Sequence, residues 1–239
     1  MSDFIKYQQQ GSYHWTQTNP DPKNMRFNSP LVARYQVMLQ VIPANARSGL
    51  DIGCGDGYLL HLLLQKTNMT CVVGVDSTAL GVKLAQTQLR KQQYSGTWQL
   101  VVDSAYSLSF PAGKFDCILM ADVIEHLAAP EQAVEQAARL LGHNGTFILS
   151  TPNWQPDKTW DQLHVQEFKP AQLESLLSSS FSNIKLFGCW PMFYMKLWKR
   201  GSWWRKTLQK TSRAIYNPFQ RLTSPPTQAH GQLIAVCRK

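Results

Sequence analysis

Leu50-Asp51-Ile52-Gly53-Cys54-Gly55-Asp56-Gly57 joins an apolar strand end, three closely spaced glycines and a helix start within eight positions. Glycine is needed where the backbone turns with positive φ, or where a ligand comes so close that a Cβ would collide. The stretch therefore predicts a ligand loop between a first strand, Leu50 to Gly53, and a helix over Tyr58 to Lys66.

The spacing is Gly-x-Gly-x-Gly, and Tyr58 stands where a dinucleotide fingerprint carries its third small residue. Asp51, two residues before the first glycine, repels a diphosphate and attracts a cation. A nucleoside cofactor with a positive centre and no phosphate fits better than NAD, and S-adenosylmethionine is such a molecule. Asp76 closes an apolar run from Thr70 about 20 residues past the loop, where an acid accepts both ribose hydroxyls. Asp103 closes a third strand, Thr97 to Val102, and is expected near the adenine amine.

Further along, Phe115 to Met120 reads as a strand covered on both faces. It runs into Ala121-Asp122-Val123-Ile124-Glu125-His126-Leu127, at the sheet edge where open α/β folds bind ligands. Helices are expected over Ala79–Gln93, Pro130–Leu141 and Pro170–Ser178. Gly142 to Gly145 reads as a turn, and strands are expected over Phe147–Ser150, Ile184–Phe187 and Gly231–Val236. This alternation predicts a doubly wound, mostly parallel α/β sheet. Upstream, residues 1–30 read as an irregular arm with breakers at Asn19 to Pro22. Leu31 to Ile42 reads as a helix opened by Ser29-Pro30 in the Ncap and N1 positions, a candidate lid over the cofactor mouth.

At 239 residues the chain suits one domain. The amino terminus lacks the pattern of a signal peptide, and no apolar run approaches the ~18 residues that span a bilayer, so a cytoplasmic protein is expected. Cys54, Cys71, Cys117, Cys189 and Cys237 are scattered and read as reduced thiols. The net charge of +9 is concentrated in one segment, because residues 188–226 carry eight Lys/Arg and no acid. That segment interrupts the fold as an insertion over 190–228 before the last strand.

Together, Leu50 to Gly57, Val73-Gly74-Val75-Asp76, Asp103, Phe115 to Leu127 and Leu141 to Asn153 resemble the class I S-adenosylmethionine-dependent methyltransferases. The resemblance implies a Rossmann-like sheet of seven strands with the last antiparallel. The candidate cofactor residues are Asp51, Gly53, Cys54, Gly55, Gly57, Asp76, Ser77, Asp103, Ser104, Ala121 and Asp122. Asp122 to Leu127, Ser150 to Asn153 and His164 to Pro170 look more specifically like the ubiquinone-biosynthesis O-methyltransferases and bacterial glycan-modifying relatives. Those quinone enzymes carry their membrane-associating insertion before the position of His164, whereas the long insertion here follows the sixth strand.

Methyl transfer to a hydroxyl requires alignment of the acceptor and a base for its proton. His126 and His164 are the candidate catalytic residues, each weighed against a purely structural role. Asp122, Glu125, His126 and His164 offer donors for a divalent ion, but a strand end at Asp122 breaks their helical grouping, and no metal is expected. The expected acceptor is a small or lipid-linked hydroxyl compound near a membrane surface. In the insertion, Trp204, Thr207, Leu208, Thr211 and Ile215 share one helical face, with Arg205, Lys206, Gln209, Lys210 and Arg213 opposite, so residues 190–221 are expected to form an element on an anionic membrane surface. The alternatives are a cap over the active site, a nucleic-acid methyltransferase gripping phosphates through this segment, and a cofactor-binding protein without turnover. No Asn-Pro-Pro-Tyr motif of base methylation follows the fourth strand.

Overall fold

The computed structural model describes residues 5–156 and 158–239. Helices α1 (Ile5–Gln10), α2 (Tyr13–Thr18) and α3 (Ser29–Gln40) precede strand β1 (Ser48–Ile52). The chain then alternates through α4 (Tyr58–Lys66), β2 (Cys71–Asp76), α5 (Ala79–Leu89), β3 (Thr97–Val102) and β4 (Phe115–Ala121). A 3-10 turn over Ile124–His126, α6 (Pro130–Leu140), β5 (Leu141–Pro152), α7 (Pro170–Ser178) and β6 (Asn183–Pro191) follow. The insertion folds as α8 (Met192–Arg200) and α9 (Ser202–Ala214), and β7 (His230–Arg238) ends the sheet.

The strand order is β3-β2-β1-β4-β5-β7-β6, with β7 antiparallel to both neighbours and the other pairs parallel. Winding reverses between β1 and β4, which opens a crevice at their carboxyl ends. In β4, Ile118 and Met120 join the apolar layer beneath α6 and α7, whereas Cys117 and Leu119 join the layer of α3, α4 and the insertion. Period-two alternation thus feeds two covered faces, which explains the unbroken apolar run.

Several expectations are corrected. The arm is helical over α1 and α2, and the breakers at Asn19 to Pro22 act only after α2. Helix α3 begins one residue early, at Ser29. Its cap is Asn28, whose Oδ1 accepts from the Leu31 amide at 3.1 Å, while the buried Ser29 hydroxyl has no partner. Residues 142–145 are not a free turn: Leu141 pairs with Phe115 and pairing resumes at Thr146 with Cys117, so they bulge within β5.

The face assignment in α9 is also corrected. Gln209, expected to face solvent, is buried and donates to the carbonyl of Phe27 at 2.5 Å, while Arg213 donates to that of Asn24 at 2.7 Å. Ile215, expected on the apolar face, lies past the helix end and is 86% exposed. Helix α9 packs on the irregular backbone of residues 24–28, where the Phe27 carbonyl gains its donor from the Gln209 amide and the Asn24 carbonyl a further one from Arg213. Among the described residues no helix is long and apolar enough to cross a membrane.

Candidate active site

The glycine loop hangs from β2, with the amides of Gly53 and Cys54 donating to the Val75 carbonyl at 2.8 and 2.9 Å. Gly53 has φ 77°, and a Cβ there would collide with Val123. Gly55 has φ 52°, and its Cβ would meet the Tyr7 hydroxyl. Only glycine meets both demands at once. Asp76 braces the loop: one oxygen accepts from the Gly55 amide at 2.9 Å, and the other from the amide and hydroxyl of Thr78 at 2.9 and 2.7 Å.

Asp56 ties the arm across this loop. It is fully buried and accepts from the backbone amide of His14 at 2.7 Å; its other oxygen lies 3.0 Å from His14 Nδ1. The Trp15 indole donates to its carbonyl at 2.8 Å. Tyr7 and His14 thereby become part of the wall of a 620 Å³ cavity.

Asp51, Gly53, Cys54, Gly55, Asp76, Ser77, Asp103, Ala121 and Asp122 line that cavity as expected. Gly57 and Ser104 stand outside its lining. At Gly57 (φ 77°) a Cβ would sit 2.8 Å from that of Ala85, so this glycine brings α4 against α5. The Ser104 amide and hydroxyl are spent within its own turn, on Asp103 and the Tyr106 amide. Asp122, at φ 51°, faces the cavity, but its carboxylate is held by an ion pair with Arg34 and by donors from Ser150 and Gln232.

The donor set fits a cationic nucleoside. Asp51 is 1% exposed, and its Oδ2 has no partner. Burial, then the charge of Asp76, push its carboxyl up to about 8. A cation beside it would satisfy the orphan oxygen and restore the charge.

At the far wall, His126 Nδ1 lies 3.1 Å from the Leu163 carbonyl, which fixes the proton on that nitrogen and leaves Nε2 as an acceptor. Burial lowers its pKa. His164 packs edge-on against it at 4.9 Å between ring centroids, with Nδ1 2.8 Å from Glu167 Oε1. Glu125 is buried beside them and accepts from the Thr151 hydroxyl at 3.0 Å; burial, then Asp122, hold its carboxyl well above the usual range. Ligand atoms of Glu125, His126 and His164 lie within 4.8 Å of one another, so these three could hold a divalent ion. The fourth residue weighed from the sequence, Asp122, belongs instead to the Arg34 network.

Sequence reasoning missed Arg34, Tyr7 and Trp160 as wall residues. An arginine among the apolar positions of α3 was the one available signal, since a buried guanidinium requires an acid.

Residues 50–149 match the family model described as "Methyltransferase domain". The mitochondrial ubiquinone biosynthesis O-methyltransferase of Arabidopsis thaliana is 36% identical over 104 residues, covering 44% of this chain and 32% of that protein. The ubiquinone biosynthesis O-methyltransferase of Thiobacillus denitrificans is 28% identical over 142 residues, 59% of each. The chain thus spans about a third to three fifths of the length of these relatives. Among solved structures, a SAM-dependent methyltransferase from Archaeoglobus fulgidus matches with TM-score 0.60 at 18% identity, covering 90% of this chain and 96% of that one. The phosphoethanolamine N-methyltransferase 2 of Haemonchus contortus in complex with S-adenosyl-L-methionine matches with TM-score 0.66 at 16% identity, covering 99% and 58%. The matched domain over residues 50–149 and the fold support a class I S-adenosylmethionine-dependent methyltransferase. The same matches support S-adenosylmethionine as the cofactor.

Replacing Asp76 by alanine is expected to weaken S-adenosylmethionine binding by about 1 to 3 kcal/mol, since it leaves ribose hydroxyls and the Gly55 amide without an acceptor. Equal affinity of wild type and variant by calorimetry would remove Asp76 from the site.

Proposed function

We propose that the chain transfers the methyl group of S-adenosylmethionine to a hydroxyl oxygen of an acceptor held in the same cavity, with His126 as the base. The observation that carries this reading is the 3.1 Å contact of His126 Nδ1 with the Leu163 carbonyl, which in the neutral ring leaves Nε2 as the acceptor. Its lowered pKa keeps the ring ready to take a proton at neutral pH. The bound cofactor supplies an electrophilic methyl group on a sulfonium, open to in-line displacement. Asp51 orients the cationic end from below, while Trp160, Trp190 and Trp198 wall the acceptor side and exclude water. Relatives named for ubiquinone biosynthesis support a small or lipid-linked, quinone-like or glycan hydroxyl compound as the acceptor. Incubation with radiolabelled cofactor and separate lipid, glycan and RNA extracts tests this. Label in the lipid or glycan fraction is expected; label confined to RNA, or in no fraction, overturns it.

The same reading puts α8 and α9 against an anionic membrane surface. Phe193 and Trp203 are 67% and 65% exposed, beside the exposed Lys196, Arg200, Arg205, Lys206 and Lys210. Exposed aromatics set among basic residues support an interfacial element, and each basic residue near such a surface contributes on the order of 1 kcal/mol. Flotation with phosphatidylglycerol vesicles is expected for the wild type and to fall several-fold for a Phe193→Ser/Trp203→Ser variant. A wild type that stays unbound leaves the insertion as a cap alone.

A further inference from the structure

We propose that the acceptor carries a phosphate-type anion, which docks between the ε-amino groups of Lys158 and Lys199 against the face of Trp160. This rests on the reading of the cavity as an acceptor site. Lys158 comes from the loop after β5, and Lys199 from the last turn of α8. Lys158 Nζ sits over the Trp160 ring, and Lys199 Nζ lies 5.3 Å from the centroid of the same ring. Two elements distant in sequence thus bring two ammonium groups to one platform.

The platform is rigid. The Trp160 indole donates to the Asn153 carbonyl at 2.9 Å, and its backbone amide donates to Glu167 Oε1 at 2.6 Å. A Cβ at Gly231 would lie 2.9 Å from the ring, so the backbone of β7 packs directly beneath it. An aromatic face attracts each cation singly, but the cations repel each other, and that repulsion calls for a counter-charge. Among the described residues neither lysine has an acid within ion-pair distance. Among the described residues Glu167 is the carboxylate acting on Lys158, and its Oε1 already serves Trp160 and His164. Burial first, then Lys199, push the Lys158 amine down to about 7. A phosphate-type dianion matches two cations, supplies several acceptor oxygens and restores the Lys158 charge. It belongs to the acceptor because Trp160 and Lys199 line the same cavity as His126 and Asp51.

The full chain is titrated by calorimetry with phenyl phosphate and, separately, with a short-chain phosphatidic acid kept monomeric. Binding of phenyl phosphate is expected, weakened at least tenfold in a Lys158→Gln/Lys199→Gln variant. It also weakens as pH rises above about 7, because Lys158, facing Lys199 and Glu167, must take up a proton. Binding of the lipid phosphate alone, with the same loss in the variant, supports the proposal and makes the source a lipid headgroup. Absence of both, or affinities unchanged in the variant, overturns it. S-adenosylhomocysteine titrated into the same samples is expected to bind wild type and variant alike. Failure there with wild type sinks the methyltransferase reading itself, and is distinct from failure of the anion site.

Discussion

His126→Ala is expected to lower turnover by roughly 10² to 10⁴ while leaving cofactor affinity unchanged, the signature of a lost general base. The ring is held by the Leu163 carbonyl at 3.1 Å and by the His164 edge at 4.9 Å, so the orientation of Nε2 is built in before the acceptor arrives. Its pKa lies below that of a free imidazole, so activity is expected to persist into mildly acidic pH and fall only when Nε2 is protonated. Turnover of the variant within about threefold of wild type would leave positioning as the sole catalytic device. The neighbouring Glu125 and His164 give the test a second arm. Loss of wild-type activity in a chelator, restored by Mg²⁺, would make His126 a metal ligand instead of a base.

The second large effect is a pH dependence of cofactor affinity. In the free chain the Asp51 carboxyl titrates at about 8, pushed up by burial and then by Asp76, whereas in an unfolded chain it titrates near 3.9. Between those values the folded chain holds a proton that the unfolded chain has lost. Stability without cofactor therefore falls as pH rises through that window and levels off above it. Cofactor binding has the opposite sign, because the cation favours the carboxylate and a proton must leave. Affinity for S-adenosylmethionine is expected to fall roughly 50-fold between pH 8 and pH 6, approaching about tenfold per pH unit well below 8. Asp51→Asn should bind weakly at every pH and lose this slope. A wild-type affinity flat over that range, measured by calorimetry, would show that Asp51 keeps its charge without the ligand.

By itself the sequence determined what depends on local chemistry. The glycine triplet, the carboxylate two residues before it and the acid ending the next strand defined a loop for a cationic nucleoside. Each is a short-range demand of backbone geometry or charge, written in residue type and spacing. The two-faced burial of β4 was legible for the same reason, since alternation along one strand needs no knowledge of the partner.

What joins distant segments was decided only in the folded molecule. The helical arm is tied to the glycine loop where Asp56 accepts from His14 across 42 positions, and no local pattern announces that anchor. Asp122 pairs with Arg34 across 88 positions, so a carboxylate read as a cofactor contact is part of an ion network. Gln209 and Arg213 turned inward to donate to the carbonyls of Phe27 and Asn24, a requirement set by the surface beneath the helix and invisible in its own periodicity. Lys158 and Lys199 share one tryptophan face for the same physical reason: side-chain convergence depends on how elements pack, and packing is a property of the whole chain.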